Sequence, residues 1–447
     1  MKSSRSSLSS SSIRSSPSAL RNRPAVIVFL LLFSFGGTPV SADLPSETRI
    51  VVIGGGVIGA SVAWHLTRLG CPDVVVLECG QIGCGTTWHS AGNIIRMSTD
   101  PVAVEIYAES ASIVAELDQR HSIGWRPCGR VMLARTEERL KEFDIIIRTL
   151  HEQGAQVELI SPEDVQNKLP IMNTDDLVGA LWSPGDGRVD PTALTAAYCR
   201  EAKQNGARFL EGVNVKQAVS RANAVTGVDT DQGQIRCEVV VNCAGMWARD
   251  IGLKNNVDIP LYAVEHFYAL TESLVDVYPD MPTFRDPDGL IYGREEVGGL
   301  LVGCFDRDAL PVRLSELPAP FEFALLNENW DQFMPYMEQA ILRIPALADC
   351  GIRALVNGPE SFTPDAEAHL DEAPELKNYF VLAGLSSSGV TRSGGMGGVL
   401  ARWILEGDPG LDLSRYSLKR FGPEHNREDY LRRRVRDMPS AHFGLER

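Results

Sequence analysis

The chain has 447 residues, 44% of them apolar and 23% charged, and acids outnumber bases 58 to 43, for a net charge of −15. That length suggests two or three domains with ample material for a core, and the composition excludes a fibrous, disordered or disulfide-scaffold protein. The acidic balance argues against nucleic acid or an anionic membrane as the main partner.

The first 42 residues read as a targeting segment. Eleven of the first 20 are serine, the basic groups are Lys2, Arg5, Arg14, Arg21 and Arg23, and no acid precedes Asp43. An apolar run from Ala25 to Phe35 follows. It is too short to cross a bilayer as a helix, which needs about 20 residues, so no transmembrane span is expected in the mature chain. The acid-free Ser/Arg leader suits a mitochondrial transit peptide, while the apolar run ending at Val40-Ser41-Ala42 suits a secretory signal. Nine scattered cysteines, with no C-x-x-C spacing among them, indicate neither a disulfide framework nor a metal site.

A nucleotide-binding unit follows. Arg49–Ile53 is a β-branched run suited to a buried parallel strand, Ala60–Leu69 reads as a helix, and Asp73–Leu77 reads as a second strand ending at Glu78. Between the first two lies Gly54-Gly55-Gly56-Val57-Ile58-Gly59. In this order Gly54 allows a tight turn, Gly56 lets the backbone approach a pyrophosphate, and Gly59 lets helix and strand pack closely. The helix N-terminus offers N–H groups to phosphate, and Glu78 accepts from ribose hydroxyls. An acid at that position disfavours a 2′-phosphate, leaving FAD or NAD.

The next segments favour flavin. Gly83–Gly92 is rich in small residues around Thr86, Thr87, Trp88 and His89, which suits a backbone lying against a flat ring. Pro191–Gly206 reads as a helix, Gly212–Val215 as a strand, and Glu238–Asn242 as a strand closing on a small-residue turn before Trp247. Far downstream, Tyr379–Gly384 reads as a strand; Ser386–Gly389 and Gly394–Gly398 form a second glycine-rich turn entering a helix through Trp403. Two such turns suit a long cofactor whose far end needs its own helix N-terminus.

In these elements the sequence resembles the FAD-dependent amine oxidoreductases of the D-amino-acid-oxidase superfamily, specifically the dimethylglycine and sarcosine dehydrogenase group. It is also similar to the pyruvate dehydrogenase phosphatase regulatory subunit, which shares their architecture. The resemblance runs from residue 49 to about 425. Its most specific stretch, Gly85-Thr86-Thr87-Trp88-His89-Ser90-Ala91-Gly92, matches the segment where the dehydrogenases attach flavin. It implies a covalent bond from His89 to the 8α-methyl of FAD. Residues 227–235, 241–245, 264–268 and 419–422 look closer to the regulatory subunit, which lacks a histidine at the position of His89.

The resemblance further implies roles for single residues. Val215 meets the adenine through its backbone, Trp247 packs by the cofactor, and Gly384, Ser388, Gly389, Val390 and Thr391 form the second turn. His266 and Tyr292 become the catalytic pair; from pattern alone they are polar strand positions. Either could accept the amine proton or orient the nitrogen lone pair. Arg249 and Arg294 are candidate partners for a substrate carboxylate, with structural ion pairing as the plainer reading.

The implied reaction oxidises an N-methylated amino acid such as dimethylglycine or sarcosine and passes electrons to an electron-transfer flavoprotein. The implied location is the mitochondrial matrix, with the secretory pathway as the alternative. A non-catalytic regulator keeping the same fold is the competing reading. Members of the group continue into a folate-binding domain, which this sequence, ending at Arg447, does not include; truncation and oxidation without folate capture both account for that.

The expected fold class is α/β: a Rossmann-like FAD-binding domain from residues 47–105, 188–260 and 348–410, and an antiparallel-sheet substrate domain from 106–187 and 261–347. Residues 411–447 read as a C-terminal linker or tail, with the charged stretch Glu424–Arg447 a solvated helix or linker.

Overall fold

A computed structural model describes residues 44–441, so the leader reading lies outside the described residues. A six-stranded sheet runs in the order His369–Glu372, Tyr379–Ala383, Val239–Asn242, Ile50–Ile53, Val74–Leu77, Arg208–Leu210. Every neighbouring pair is parallel except the first, which is antiparallel. Its central strands are apolar almost throughout, Asn242 being the polar exception, because both faces are covered. Ile50, Val52, Val74 and Val76 join the core under helices Val57–Arg68, Pro191–Gln204 and Gly389–Glu406. Val51, Ile53, Val75 and Leu77 join a second core against the small antiparallel sheet Val215–Arg221, Ala224–Thr230, Gln234–Arg236.

A nine-stranded sheet carries the other half of the molecule. It runs Pro311–Val312, Tyr262–Thr271, Gly299–Cys304, Ile291–Glu296, Thr283–Asp286, Arg130–Ala134, Gly179–Ser183, Glu158–Ile160, with Ile352–Phe362 also paired to Tyr262–Thr271. Only the pairing of Thr283–Asp286 with Arg130–Ala134 is parallel. Ile352–Phe362, expected with the nucleotide-binding segments, thus belongs to this sheet. Helix Pro101–His121 straddles the expected boundary at residue 105 and packs on helix Gly389–Glu406 instead.

The glycines at 394–398 lie inside helix Gly389–Glu406 rather than in the turn before it. A Cβ on Gly395 would overlap the Ile106 carbonyl oxygen and sit 2.9 Å from its carbon. One on Gly397 would overlap Ser61 Oγ. The bare stripe therefore brings this helix against the main chain of helix Pro101–His121 and the Ser61 side chain of helix Val57–Arg68. Ser61 Oγ donates to Ser393 O at 2.7 Å, and Gly395 N donates to Ser110 Oγ at 2.8 Å.

The expected solvated tail is only partly so. Helix Glu428–Arg434 and the residues after it bury Leu431, Val435 and Met438 against Tyr262, Val264, Ala309 and Phe362. Its arginines face water while this apolar stripe faces the sheet.

Buried Asp286 closes the large sheet onto helix Trp330–Arg343. It accepts from Arg343 Nε at 3.0 Å and Arg135 Nη2 at 2.6 Å, and Arg343 grips Asp176 with both terminal nitrogens at 2.7 and 3.0 Å. Asp286→Ala would leave the buried Arg343 guanidinium with half-exposed Asp176 alone and its Nε unpaired, at a cost of about 3 kcal/mol. Urea unfolding should show a lower midpoint at an unchanged slope; an unshifted midpoint would contradict the role given to this cluster.

Candidate functional site

The first cradle is built where Ile50–Ile53 ends. Gly54 takes φ +102°, a conformation glycine adopts at no steric cost, and an added Cβ would lie 2.6 Å from the Cys243 carbonyl oxygen. Gly59 packs beneath it, with no room for a Cβ next to Gly54 O. The following helix starts at Gly56 without a side-chain cap; Val57 N donates to Thr87 Oγ1 at 3.1 Å. Glu78 accepts from Gly55 N at 2.7 Å and from Gly80 N at 2.9 Å, so its carboxylate ties both ends of the turn together. The second cradle comes from Gly384, Ser386 and Ser387, all at positive φ, leading into helix Gly389–Glu406, which also lacks a side-chain cap. Uncapped helix N-termini leave backbone donors for an anionic ligand.

Both cradles open on one cavity of about 1030 Å³. Gly54, Gly56, Glu78, Thr86, Thr87, His89, Val215, Trp247, His266, Tyr292, Gly384, Ser388, Gly389, Val390 and Thr391 all line it. Gly59 does not line it. Arg249 and Arg294 do not reach it either. Arg249 is held by Asn426, its Nε donating at 3.0 Å, and Arg294 Nε donates to Ala91 O at 2.7 Å. The two cradles, the volume of the cavity they share and the histidines His89 and His266 on its wall fit FAD.

One wall of the cavity is a face of the large sheet, and strand register selects its members. Side chains of directly paired residues project from the same face, and so do those two apart along a strand. His266 pairs with Gly358, and Val264 with Glu360. Tyr268 pairs with Gly303, which also pairs with Tyr292; Tyr292 pairs with Arg285, and Arg285 with Met132, two residues from Arg130. One surface thus presents His266, Tyr268, Tyr292, Arg285, Arg130 and Glu360 to the cavity. The last two arginines and Glu360 escape sequence reasoning, because only the register shows that they share a face. Glycine stands where the wall must be flat: a side chain on Gly358 would overlap the His89 imidazole, and one on Gly303 the Tyr292 ring.

The charge state of this wall follows from burial. Desolvation lowers His89 to about 4 and His266 to about 4, and His89 also disfavours charge on His266. Both rings are therefore neutral at physiological pH. Burial also pushes the Tyr292 phenol up and Tyr268 up to about 12, so both stay protonated. Phe305 sits among them, its ring centroid 5.1 Å from that of His266 and 5.4 Å from that of Tyr292, with the Arg285 guanidinium 5.5 Å over it. Arg130 is 4% exposed, and desolvation lowers Arg285 to about 9.

Comparison with known proteins agrees with this geometry. A family model described as FAD dependent oxidoreductase matches residues 49–403. The chain is 38% identical to the mitochondrial pyruvate dehydrogenase phosphatase regulatory subunit of Mus musculus over 91% of its length and 47% of that protein's. It is 36% identical to the mitochondrial sarcosine dehydrogenase of Mus musculus over 88% of its length and 43% of that protein's. It thus spans less than half of each of these relatives. Among solved structures, L-proline dehydrogenase from P. horikoshii superimposes with a TM-score of 0.75 at 25% identity, covering 84% of this chain and 97% of that one.

Proposed function

Because the chain belongs to the FAD-dependent oxidoreductase family, we propose that it oxidises a small N-methylated amino acid of the sarcosine or dimethylglycine type. The observation that carries this reading is the wall of the cavity. Neutral His266 and Tyr292 stand one aromatic ring, Phe305, away from the Arg285 guanidinium. A short amino acid has its two functional groups separated on that scale, with the amine toward His266 and Tyr292 and the carboxylate toward Arg285 and Arg130.

Gly54, Gly56, Glu78, Thr86, Thr87, Val215, Trp247 and the turn Gly384–Thr391 would hold the cofactor, with His89 joined to its ring. Bound FAD supplies the two-electron acceptor for the C–H bond beside nitrogen. The protein contributes position and field: the amine must be neutral and its N-methyl carbon held against the ring face. The products would be the demethylated amine and a one-carbon unit at the formaldehyde level, with electrons leaving to an electron-transfer flavoprotein. The mitochondrial relatives support a matrix location.

The test is anaerobic mixing of the flavin-loaded protein with sarcosine, dimethylglycine and glycine. Bleaching of the flavin by the methylated amines, and not by glycine, is the expected result. A loaded protein that no N-methyl amino acid reduces would overturn the proposal and favour a regulatory role.

A further inference from the structure

We propose that Glu360 recognises the substrate ammonium and takes its proton, with Ser387 and His266 as positioning residues. This rests on the amine-oxidising reading above and deepens it.

Register puts Glu360 on the cavity face, diagonal to His266. Its Oε1 accepts from Ser387 N at 3.0 Å, and Ser387 Oγ lies 3.2 Å from His266 Nε2. Ser387 reaches both because its backbone sits at φ +64°. The count of hydrogens then assigns the histidine. A carboxylate only accepts, and a serine hydroxyl has one hydrogen. By geometry the hydrogen between Ser387 Oγ and His266 Nε2 belongs to either atom, and the other ring nitrogen decides which. The remaining nitrogen, Nδ1, is buried with no partner, where a bare lone pair costs less than an unpaired N–H. His266 thus carries its one proton on the nitrogen that meets Ser387, and burial lowers the ring to about 4, so Nδ1 is too weak a base to hold an ammonium proton near neutrality. It is a donor that fixes Ser387, and Ser387 aims Glu360.

Glu360, half-buried on the cavity wall, also differs from the paired acids of the large sheet. Asp286 has Arg135 and Arg343, and Glu295 has Arg188. Among the described residues Glu360 forms no ion pair, although it lies on a cavity wall. An uncompensated carboxylate there lacks a cation, and a protonated amine supplies one. The titratable groups on its face of the sheet are His266, Tyr268, Tyr292, Arg285 and Arg130, joined at the cavity by His89 on the loop and Ser387 at the turn. With the histidines near 4 and the tyrosines raised, none of these changes charge near neutrality. Desolvation raises Glu360 itself to about 7, where a general base works best.

In the step, one N–H bond of the ammonium breaks and an O–H bond forms on Glu360. The electron pair stays on nitrogen as the lone pair that oxidation requires, and no oxidant is consumed. Because the deprotonated carboxylate is the active form, kcat/KM for flavin reduction should rise with pH through about 7.

The experiment compares the flavin-loaded wild type with Glu360→Gln and Glu360→Asp in anaerobic stopped flow, from pH 5.5 to 9. Glu360→Gln should slow reduction about 10²–10³-fold above neutrality and flatten the rising limb; Glu360→Asp should keep the limb. Equal flavin content and circular dichroism confirm that all three are folded. Infrared difference spectra of amine-free protein should show a carboxyl band titrating near pH 7 in the wild type and missing from Glu360→Gln. A Gln variant that keeps the limb, or a wild type without that band, overturns the proposal alone. A wild type that no amine reduces overturns the amine-oxidising reading itself and the proton transfer with it.

Discussion

Acid-precipitated His89→Ala protein is expected to give a colourless pellet, with all its flavin in the supernatant, whereas wild-type flavin stays with the pellet. The expectation rests on the seat of the ring. His89 is 8% exposed, its imidazole lies against the Cα of Gly358, and Trp88 meets it edge-on with centroids 5.5 Å apart. Burial lowers it to about 4, so a nitrogen lone pair is available throughout the physiological range, as a bond to an electrophilic carbon requires. Alanine removes the nucleophile and little else, because the two glycine cradles lie elsewhere on the cavity wall. Flavin content per mole should therefore survive gel filtration even as attachment goes from complete to nil. Gly358→Ala is the companion variant: its Cβ would displace the ring and reduce attachment while leaving His89 in place. Colour in the His89→Ala pellet, or none in the wild-type pellet, would refute the attachment.

The second large effect lies in the helix seam. Gly395→Ala should destabilise the protein by about 3 kcal/mol or more, at the upper end of what overpacking costs. The new methyl would overlap Ile106 O and stand 2.9 Å from both the Ile106 carbonyl carbon and Cα. Those are main-chain atoms in the middle of helix Pro101–His121, and they cannot yield without moving the helix. Gly398→Ala serves as the control, since its Cβ would meet Glu109 Oε1 at 2.9 Å and His65 Cε1 at 3.0 Å. These are side-chain ends that can shift. Thermal unfolding should show a clearly larger loss for Gly395→Ala than for Gly398→Ala. Equal losses would mean that the seam is softer than its geometry implies.

What the sequence made legible was local. Gly54, Gly56, Gly59 and Glu78 are confined to thirty residues of strand, turn, helix and strand, and each has a steric or polar reason tied to its immediate neighbours. The glycines at 394–398 were misplaced for the same cause. A glycine run after a strand reads as a turn, and only the partners across the seam reveal it as a helix face. Glu360, Arg130 and Arg285 were invisible because their common property is a register shared by strands from distant parts of the chain. The tail was misjudged because its basic residues mask an apolar stripe formed by Leu431, Val435 and Met438.

The parallel sheet has a consequence for how the protein is made. Strand Ile50–Ile53 pairs on one side with Val74–Leu77 soon after both emerge from the ribosome. Its other neighbour, Val239–Asn242, comes far later, and Tyr379–Ala383 beyond that is among the last strands of the chain. At about 5–20 residues per second the central strand waits some tens of seconds with one edge unpaired. Four consecutive β-branched residues with bare N–H and C=O groups are a template for pairing with another copy. Nascent chains of this protein should therefore need a holding chaperone during that interval, and the cofactor cradle at Gly54 cannot close until Cys243 has been synthesised.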